Sequence, residues 1–215
     1  MSDRQRRLLA AHLYLVCDDQ PDEFLEAALR GGVDVVQLRI KNASEERISS
    51  AAQRFARACA EQGALFIIND RPDLARAVGA DGAHIGQDDM PASKARRLVG
   101  SELLLGLSTH TPDQIDRASG LPVDYIGVGP VHETPTKPGR PAVGLELVRY
   151  AASRATVPFF TIGGITRENA AAVWDAGGER IAVLRALTDA ADPELAARDL
   201  RRSIAPRMES GVGAP

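Results

Sequence analysis

Along the chain, short apolar runs alternate with longer stretches whose apolar residues recur at helical spacing. Eight runs have the length of buried strands: Leu13–Cys17, Val33–Leu38, Ala64–Ile68, Gly82–Ile85, Leu103–Leu107, Asp124–Val128, Val157–Ile162 and Arg180–Leu184. Runs such as Val33-Asp34-Val35-Val36 do not alternate cleanly, which suits strands covered on both faces. Between them, Phe24, Leu25, Ala28 and Leu29 form one helical stripe. Ile48, Ala51, Ala52, Phe55 and Cys59 form a second, opened by Ser44, with Glu45 and Glu46 where the free N–H groups of a first turn favour acids. Further helices are predicted over Asp73–Val78, Ala92–Val99, Pro112–Ala118, Leu145–Ser153, Arg167–Ala176 and Pro193–Ile204. Gly31, Gly63, Gly79 and Gly177 follow helical segments, as C-terminal caps do. Eight strand–helix units without an obvious linker predict an α/β chain forming a single (β/α)8 TIM barrel domain over 1–215, with 1–10 and 206–215 as flexible ends. An open doubly wound sheet is the structural alternative.

Composition narrows the chemistry. Hydrophobic residues make up 44% of the 215 residues and aromatics only 4%, so the core is aliphatic. A net charge of -3 argues against a nucleic-acid partner. Any anion site must therefore be built locally from a few lysines and arginines. Cys17 and Cys59 lie in apolar runs without metal-ligand spacing, which reads as buried thiols in a reducing compartment. No run approaches membrane-spanning length, and the N-terminus lacks the long apolar stretch of a signal peptide. The expectation is a soluble cytoplasmic protein acting on small molecules, with neither membrane nor nucleic acid as partner. Homo-oligomerisation is compatible with the sequence and not specified by it.

In barrels of this kind, functional residues collect where strands end. By period-two alternation Gln37, Arg39 and Lys41 share one side, which in a barrel strand can be the lumen, although an Arg and a Lys can also simply reach solvent. The third strand ends in Asn69-Asp70, where Asp70 reads either as a site carboxylate or as a helix cap before Arg71-Pro72. The fourth is followed by Asp88-Asp89. Acids after adjacent strands can meet across the mouth, and two carboxylates with phosphate oxygens and water make a typical Mg2+ site. His84 reads as a hydrogen-bonded structural histidine, and no His/Cys cluster favours zinc. Ser108 lacks a nucleophile-elbow context and reads as a hydrogen-bond donor; Ser108 and Thr109 also suit helix capping. After the sixth strand, Gly129-Pro130 leads to Thr134, Pro135, Thr136 and Lys137, a proline-stiffened loop suited to holding an anion or simply to turning at the surface. Gly163-Gly164 permits close backbone approach to a ligand. With Leu184-Arg185, it lies where these barrels commonly bind phosphate.

Taken in order, QLR-x-K from Gln37, IND to Asp70, H-x-GQ-x-D-M from His84, G-x-STH to His110, YIGVGP from Tyr125, TPTKPG from Thr134 and IGGIT to Thr166 resemble the thiamine-phosphate synthase family over Leu13 to Leu200. The resemblance implies a (β/α)8 fold and a Mg2+-dependent transferase that couples 4-amino-2-methyl-5-(diphosphooxymethyl)pyrimidine to 4-methyl-5-(2-phosphooxyethyl)thiazole, releasing pyrophosphate. It implies that Gln37, Leu38, Arg39, Ile40, Lys41 and Asn69 hold the pyrimidine diphosphate, with Ser108 and Lys137. Asp70 and Asp89 would ligate Mg2+, with Asp88 the lesser choice. Thr134, Pro135 and Thr136 would meet the thiazole phosphate, as would Gly164 and the backbone near Leu184 and Arg185. Arg39 and Lys137 would stabilise the departing charge. Two positions depart from the family pattern: Ile40, where an acid is common, and Arg185, where a serine is common. The related thiazole tautomerases are expected to place a catalytic histidine near the end of strand six, where this chain has Pro130, with His132 two residues on. A non-catalytic phosphate-binding barrel is the rival from another class.

Overall fold

The computed structural model describes residues 1–133 and 141–208, with 205–208 as backbone only. Eight parallel strands close a barrel in chain order: β1 (Leu13–Cys17), β2 (Val35–Leu38), β3 (Leu65–Asn69), β4 (Gly82–Ile85), β5 (Leu104–Thr109), β6 (Tyr125–Val128), β7 (Phe159–Ile162) and β8 (Ile181–Val183). Closure is made where β8 pairs back to β1, Tyr14 opposite Ala182. The helices are α1 (Asp3–Ala10), α2 (Asp22–Arg30), α3 (Glu45–Gln62), α4 (Ala92–Val99), α5 (Pro112–Ala118), α6 (Gly144–Arg154), α7 (Ala170–Asp175), α8 (Arg185–Thr188) and α9 (Pro193–Met208). The barrel expected from the apolar pattern is thus the one observed. No helix among the described residues is long and apolar enough to cross a membrane.

Strand alternation sorts the core into two layers. Leu13, Leu15 and Cys17 face the helices, whereas Tyr14 and Val16 join Val35, Ile67, Leu104, Tyr125 and Phe160 in the lumen. Three of the few aromatics, Tyr14, Tyr125 and Phe160, help to fill it. Tyr14 meets Phe160 edge-on with ring centroids 5.0 Å apart. Gly106 makes room for this filling, since a Cβ at that position would lie 2.2 Å from Tyr125 Cζ. On the outer side, α3 buries Ile48, Ala52, Phe55 and Cys59, is capped by Ser44 and stops at Gly63 with φ 69°.

The N-terminal end of the barrel is closed. The first ten residues, expected as a flexible end, hold α1, started by a capping box between Ser2 and Gln5. Leu8, 2% exposed, joins the lumen cluster. Three aspartates precede alternate strands and tie this floor together. Asp34, Asp81 and Asp124 accept from the backbone N–H of Leu13 at 2.9 Å, Phe66 at 3.0 Å and Leu105 at 2.8 Å. Each also carries an arginine: Arg201 at 2.6 Å, Arg4 at 2.8 Å and Arg96 at 2.5 Å respectively.

Three helical expectations change. The segment Asp73–Val78 forms successive turns between Pro72 and Gly79, including Leu74 N–H to Arg71 O at 3.1 Å, in place of a helix. The helix expected over Arg167–Ala176 shortens to α7, since Asn169 turns its side chain back to the Thr166 N–H. At the C-terminal end, α9 runs past Ile204 and Pro206 to Met208, and 209–215 lie outside the described residues.

Candidate active site

With α1 across the floor, the lumen opens at the rim formed by the C-terminal ends of the strands. A cavity of about 160 Å³ lies there, far more than the roughly 15 Å³ a water requires. Seven of the residues assigned to substrate binding from the sequence line it: Gln37, Arg39, Asn69, Ser108, Gly164, Leu184 and Arg185. They come from the ends of five strands and the loops after them, so their proximity follows from closure of the barrel and not from chain spacing.

Other expected residues stand elsewhere. Leu38 is 1% exposed and packs in the helix-facing core, and Ile40 packs against the same layer. Alternation therefore turns both side chains away from the lumen, leaving backbone as their means of reaching a ligand. Thr134, Pro135, Thr136 and Lys137 lie outside the described residues. Pro130 lines the cavity, whereas His132 does not.

On the rim between the ends of β2, β3 and β4, Lys41 Nζ contacts Asp70 Oδ2 directly. Asp70 is not a helix cap. Its φ of 59° is left-handed, its N–H donates to His84 O at 2.8 Å, and turns follow it. Asp89 Oδ2 accepts the Gly86 N–H at 2.6 Å, which folds the loop after β4 back on itself. The two carboxyl groups lie close enough for each to shift the other's ionisation. Burial, with Asp89 beside it, pushes the Asp70 carboxyl up despite Lys41. At Asp89 burial opposes ionisation, but the Gly86 N–H, Asp70 and Lys41 outweigh it and hold the group below the usual carboxylate range. Among the described residues no group of three or more His, Cys, Asp or Glu gathers around a point. Two adjacent carboxylates fit Mg2+, which takes one or two protein oxygens and leaves its other positions to water and phosphate.

Deeper in the lumen the polar side chains are hydrogen-bonded in series. Gln37, 4% exposed, donates from Nε2 to Tyr14 Oη at 2.7 Å. Tyr14 Oη lies 3.0 Å from Tyr125 Oη, which lies 3.2 Å from His84 Nδ1. His84 Nε2 lies 2.9 Å from Ser108 Oγ. His84 is therefore the hydrogen-bonded histidine expected. Ser108 does not cap α5, which Thr111 caps instead, and Thr109 donates its hydroxyl to Gly127 O at 3.0 Å. Burial pushes the Tyr14 and Tyr125 hydroxyls well above the ordinary tyrosine value. Tyr14 and Tyr125 escaped the sequence reading. Period-two alternation applied to Leu13-Tyr14-Leu15-Val16-Cys17 turns Tyr14 inward, opposite in sense to the apolar run around it.

The opposite side of the rim is lined by backbone. Gly129 and Pro130 are joined by a cis peptide and lie against the loop after β7. A Cβ on Gly163 (φ 110°) would fall 2.4 Å from Pro130 Cα, so glycine is required by both conformation and contact. Gly164 has φ 60°, and its carbonyl accepts from Asn169 Nδ2 at 2.9 Å. Arg185 starts α8 at the edge of the cavity.

Residues 13–187 match the family model described as thiamine monophosphate synthase. The thiamine-phosphate synthase of Gloeobacter violaceus is 50% identical over 193 residues, covering 89% of this chain and 57% of that protein. The chain thus spans little more than half the length of this relative. The thiamine-phosphate synthase of Mycobacterium tuberculosis strain H37Ra is 46% identical over 216 residues, covering 93% of this chain and 97% of that protein. Among solved structures, the thiamine phosphate pyrophosphorylase of Pyrococcus furiosus superposes with a TM-score of 0.85 at 32% identity, covering 97% of this chain and 99% of that one.

Proposed function

The chain belongs to the thiamine monophosphate synthase family, and from that premise we propose that it is a thiamine-phosphate synthase. It joins the pyrimidinylmethyl diphosphate to the thiazole phosphate and releases pyrophosphate. The observation that carries this reading is the Asp70–Asp89 pair with Lys41, seated on the same rim as a cavity lined by Arg39, Asn69 and Ser108. Such an arrangement of acids, cations and donors suits a diphosphate that brings its own metal contacts.

The bond from the pyrimidine methylene carbon to oxygen breaks, and its electron pair leaves with pyrophosphate. The thiazole nitrogen lone pair then forms the new bond to that carbon. The amino group on the pyrimidine ring feeds electron density towards the methylene, so the carbon can bear positive charge between the two events. No protein nucleophile is needed for this dissociative substitution. Arg39 holds the diphosphate and meets charge that grows as the bond lengthens, which lowers the barrier more than it strengthens ground-state binding. Lys41 and Ser108 fix the diphosphate end, and Lys137 is assigned the same charge-stabilising task on the strength of the family resemblance. Asp70 and Asp89 would hold Mg2+, which when bound supplies positive charge to the leaving oxygens. Gly163 and Gly164 admit the thiazole phosphate close to backbone, with Arg185 adding a cation at that end. Lumen walls of Val16, Phe160 and Ile162 exclude water from the methylene carbon.

Incubation with both substrates and Mg2+ tests the reading. Thiamine phosphate and pyrophosphate should appear in equal amounts, and neither should form when one substrate is left out. Pyrophosphate release from the pyrimidine diphosphate alone, or no release with both present, would contradict it.

A further inference from the structure

The hydrogen bonds in the lumen can be followed as one directed series, starting at an amide N–H that can only donate and ending at the cavity. Gln37 donates its amide N–H to Tyr14 Oη at 2.7 Å. The hydroxyl proton of Tyr14 is then directed to Tyr125 Oη, 3.0 Å away. Tyr125, having accepted, can place its own proton on His84 Nδ1, 3.2 Å away. A neutral imidazole that accepts at Nδ1 carries its proton on Nε2 and would donate it to Ser108 Oγ, 2.9 Å away. Ser108 Oγ, occupied as an acceptor, turns its own proton to the cavity that it lines.

From this we infer that Tyr14 and Tyr125 are positioning residues: they fix the tautomer of His84 and make Ser108 a committed hydrogen-bond donor to an acceptor oxygen of the bound ligand. The ligand class this favours is a phosphate or diphosphate ester, whose oxygens accept and do not donate. Neither tyrosine touches the reacting atoms in this account. Their effect travels from the amide of Gln37, on β2, through β1, β6 and β4 to β5, so the barrel's closure itself sets the polarity of the donor. The kinetic consequence rests on the function proposed above, whereas the tautomer does not.

Two measurements test the inference. In the 15N-labelled free protein at pH 8, long-range 1H–15N correlations assigned with His84→Gln should show His84 protonated at Nε2. A proton at Nδ1 would mean that the series runs the other way, from Ser108 towards the carbonyl of Gln37, and would overturn the inference. In kinetics, Tyr125→Phe should lower kcat/KM for the diphosphate substrate about tenfold, and Ser108→Ala should do the same. Added to Ser108→Ala, Tyr125→Phe should lower it by less than about twofold further, because the donor it orients is already gone. An equal tenfold fall in both backgrounds would overturn the positioning role, as a merely structural tyrosine would give that result. If Tyr125→Phe does not fold, Tyr14→Phe breaks the series one link earlier and serves the same cycle. If the unaltered protein releases no pyrophosphate, the proposed function fails, and the tautomer still decides the direction of the series.

Discussion

Lys41 Nζ rests directly on Asp70 Oδ2, so the cation at the end of β2 neutralises an acid at the end of β3. Asp70 needs that partner, because burial and the adjacent Asp89 both disfavour its charge. The Lys41 side chain is 49% exposed, and ion pairs of this kind contribute less than about 1 kcal/mol to stability. Lys41→Met should therefore leave the melting temperature within a few degrees of the parent. It should still raise KM for the diphosphate substrate about tenfold, corresponding to roughly 1.4 kcal/mol of lost binding. Steady-state kinetics alongside a thermal melt separates the two effects, and a large fall in melting temperature with unchanged KM would assign Lys41 to the fold instead.

The floor of the barrel should respond in the opposite manner. Asp124 joins Leu105 N–H, Arg96 and Gln5 at the end remote from the cavity. Asp124→Ala leaves the part-buried Arg96 guanidinium without its carboxylate, though still bonded to the Pro122, Gly100 and Leu103 carbonyls, and leaves the Leu105 N–H without its acceptor; it should cost about 2–4 kcal/mol in urea unfolding. The kcat/KM of the folded fraction should stay within about twofold of the parent.

Gly163→Ala probes the backbone side of the rim. The substitution forces an L side chain into a left-handed conformation and drives its Cβ into Pro130. A stability loss of about 2–3 kcal/mol is expected, with KM for the thiazole phosphate raised more than that for the pyrimidine diphosphate. Unchanged KM values for both would show that this loop does not shape the site.

Alkali should test the lumen. Tyr14 and Tyr125 keep their protons in the folded state well beyond the ordinary tyrosine value of about 10. The folded state therefore binds more protons than the unfolded chain above about pH 10, so the contribution is complete below that pH and is lost as pH rises beyond it. In a spectrophotometric titration, tyrosinate absorbance from these two residues should appear only together with unfolding.

Much of this architecture is legible in the sequence, and the exceptions have physical causes. Apolar runs such as Leu103–Leu107 locate strands because a strand buried on both faces cannot hide its composition. The inward set Gln37 and Arg39 follows from alternation alone, and so does the outward turn of Leu38 and Ile40, which the family resemblance had grouped with them. The capping box at Ser2 and Gln5 was available as a signal for α1, but the charged run around it masked the single buried contact, Leu8. Asp70 reads from sequence either as a site carboxylate or as a helix cap, because only the closed barrel brings Lys41 and Asp89 to it. The serial bonds from Gln37 to Ser108 link residues up to 111 positions apart and have no local trace.

We propose that Asp70 and Asp89 gather Mg2+ for a departing diphosphate. Pyrophosphate release measured against Mg2+ concentration, for the parent and for Asp70→Asn and Asp89→Asn, tests it most directly. Saturable dependence on Mg2+ is expected in the parent, with no turnover in excess chelator. A fall of about 100-fold or more in kcat/KM is expected for each variant while it remains folded. Turnover that survives chelation, or that either variant retains in full, would contradict it.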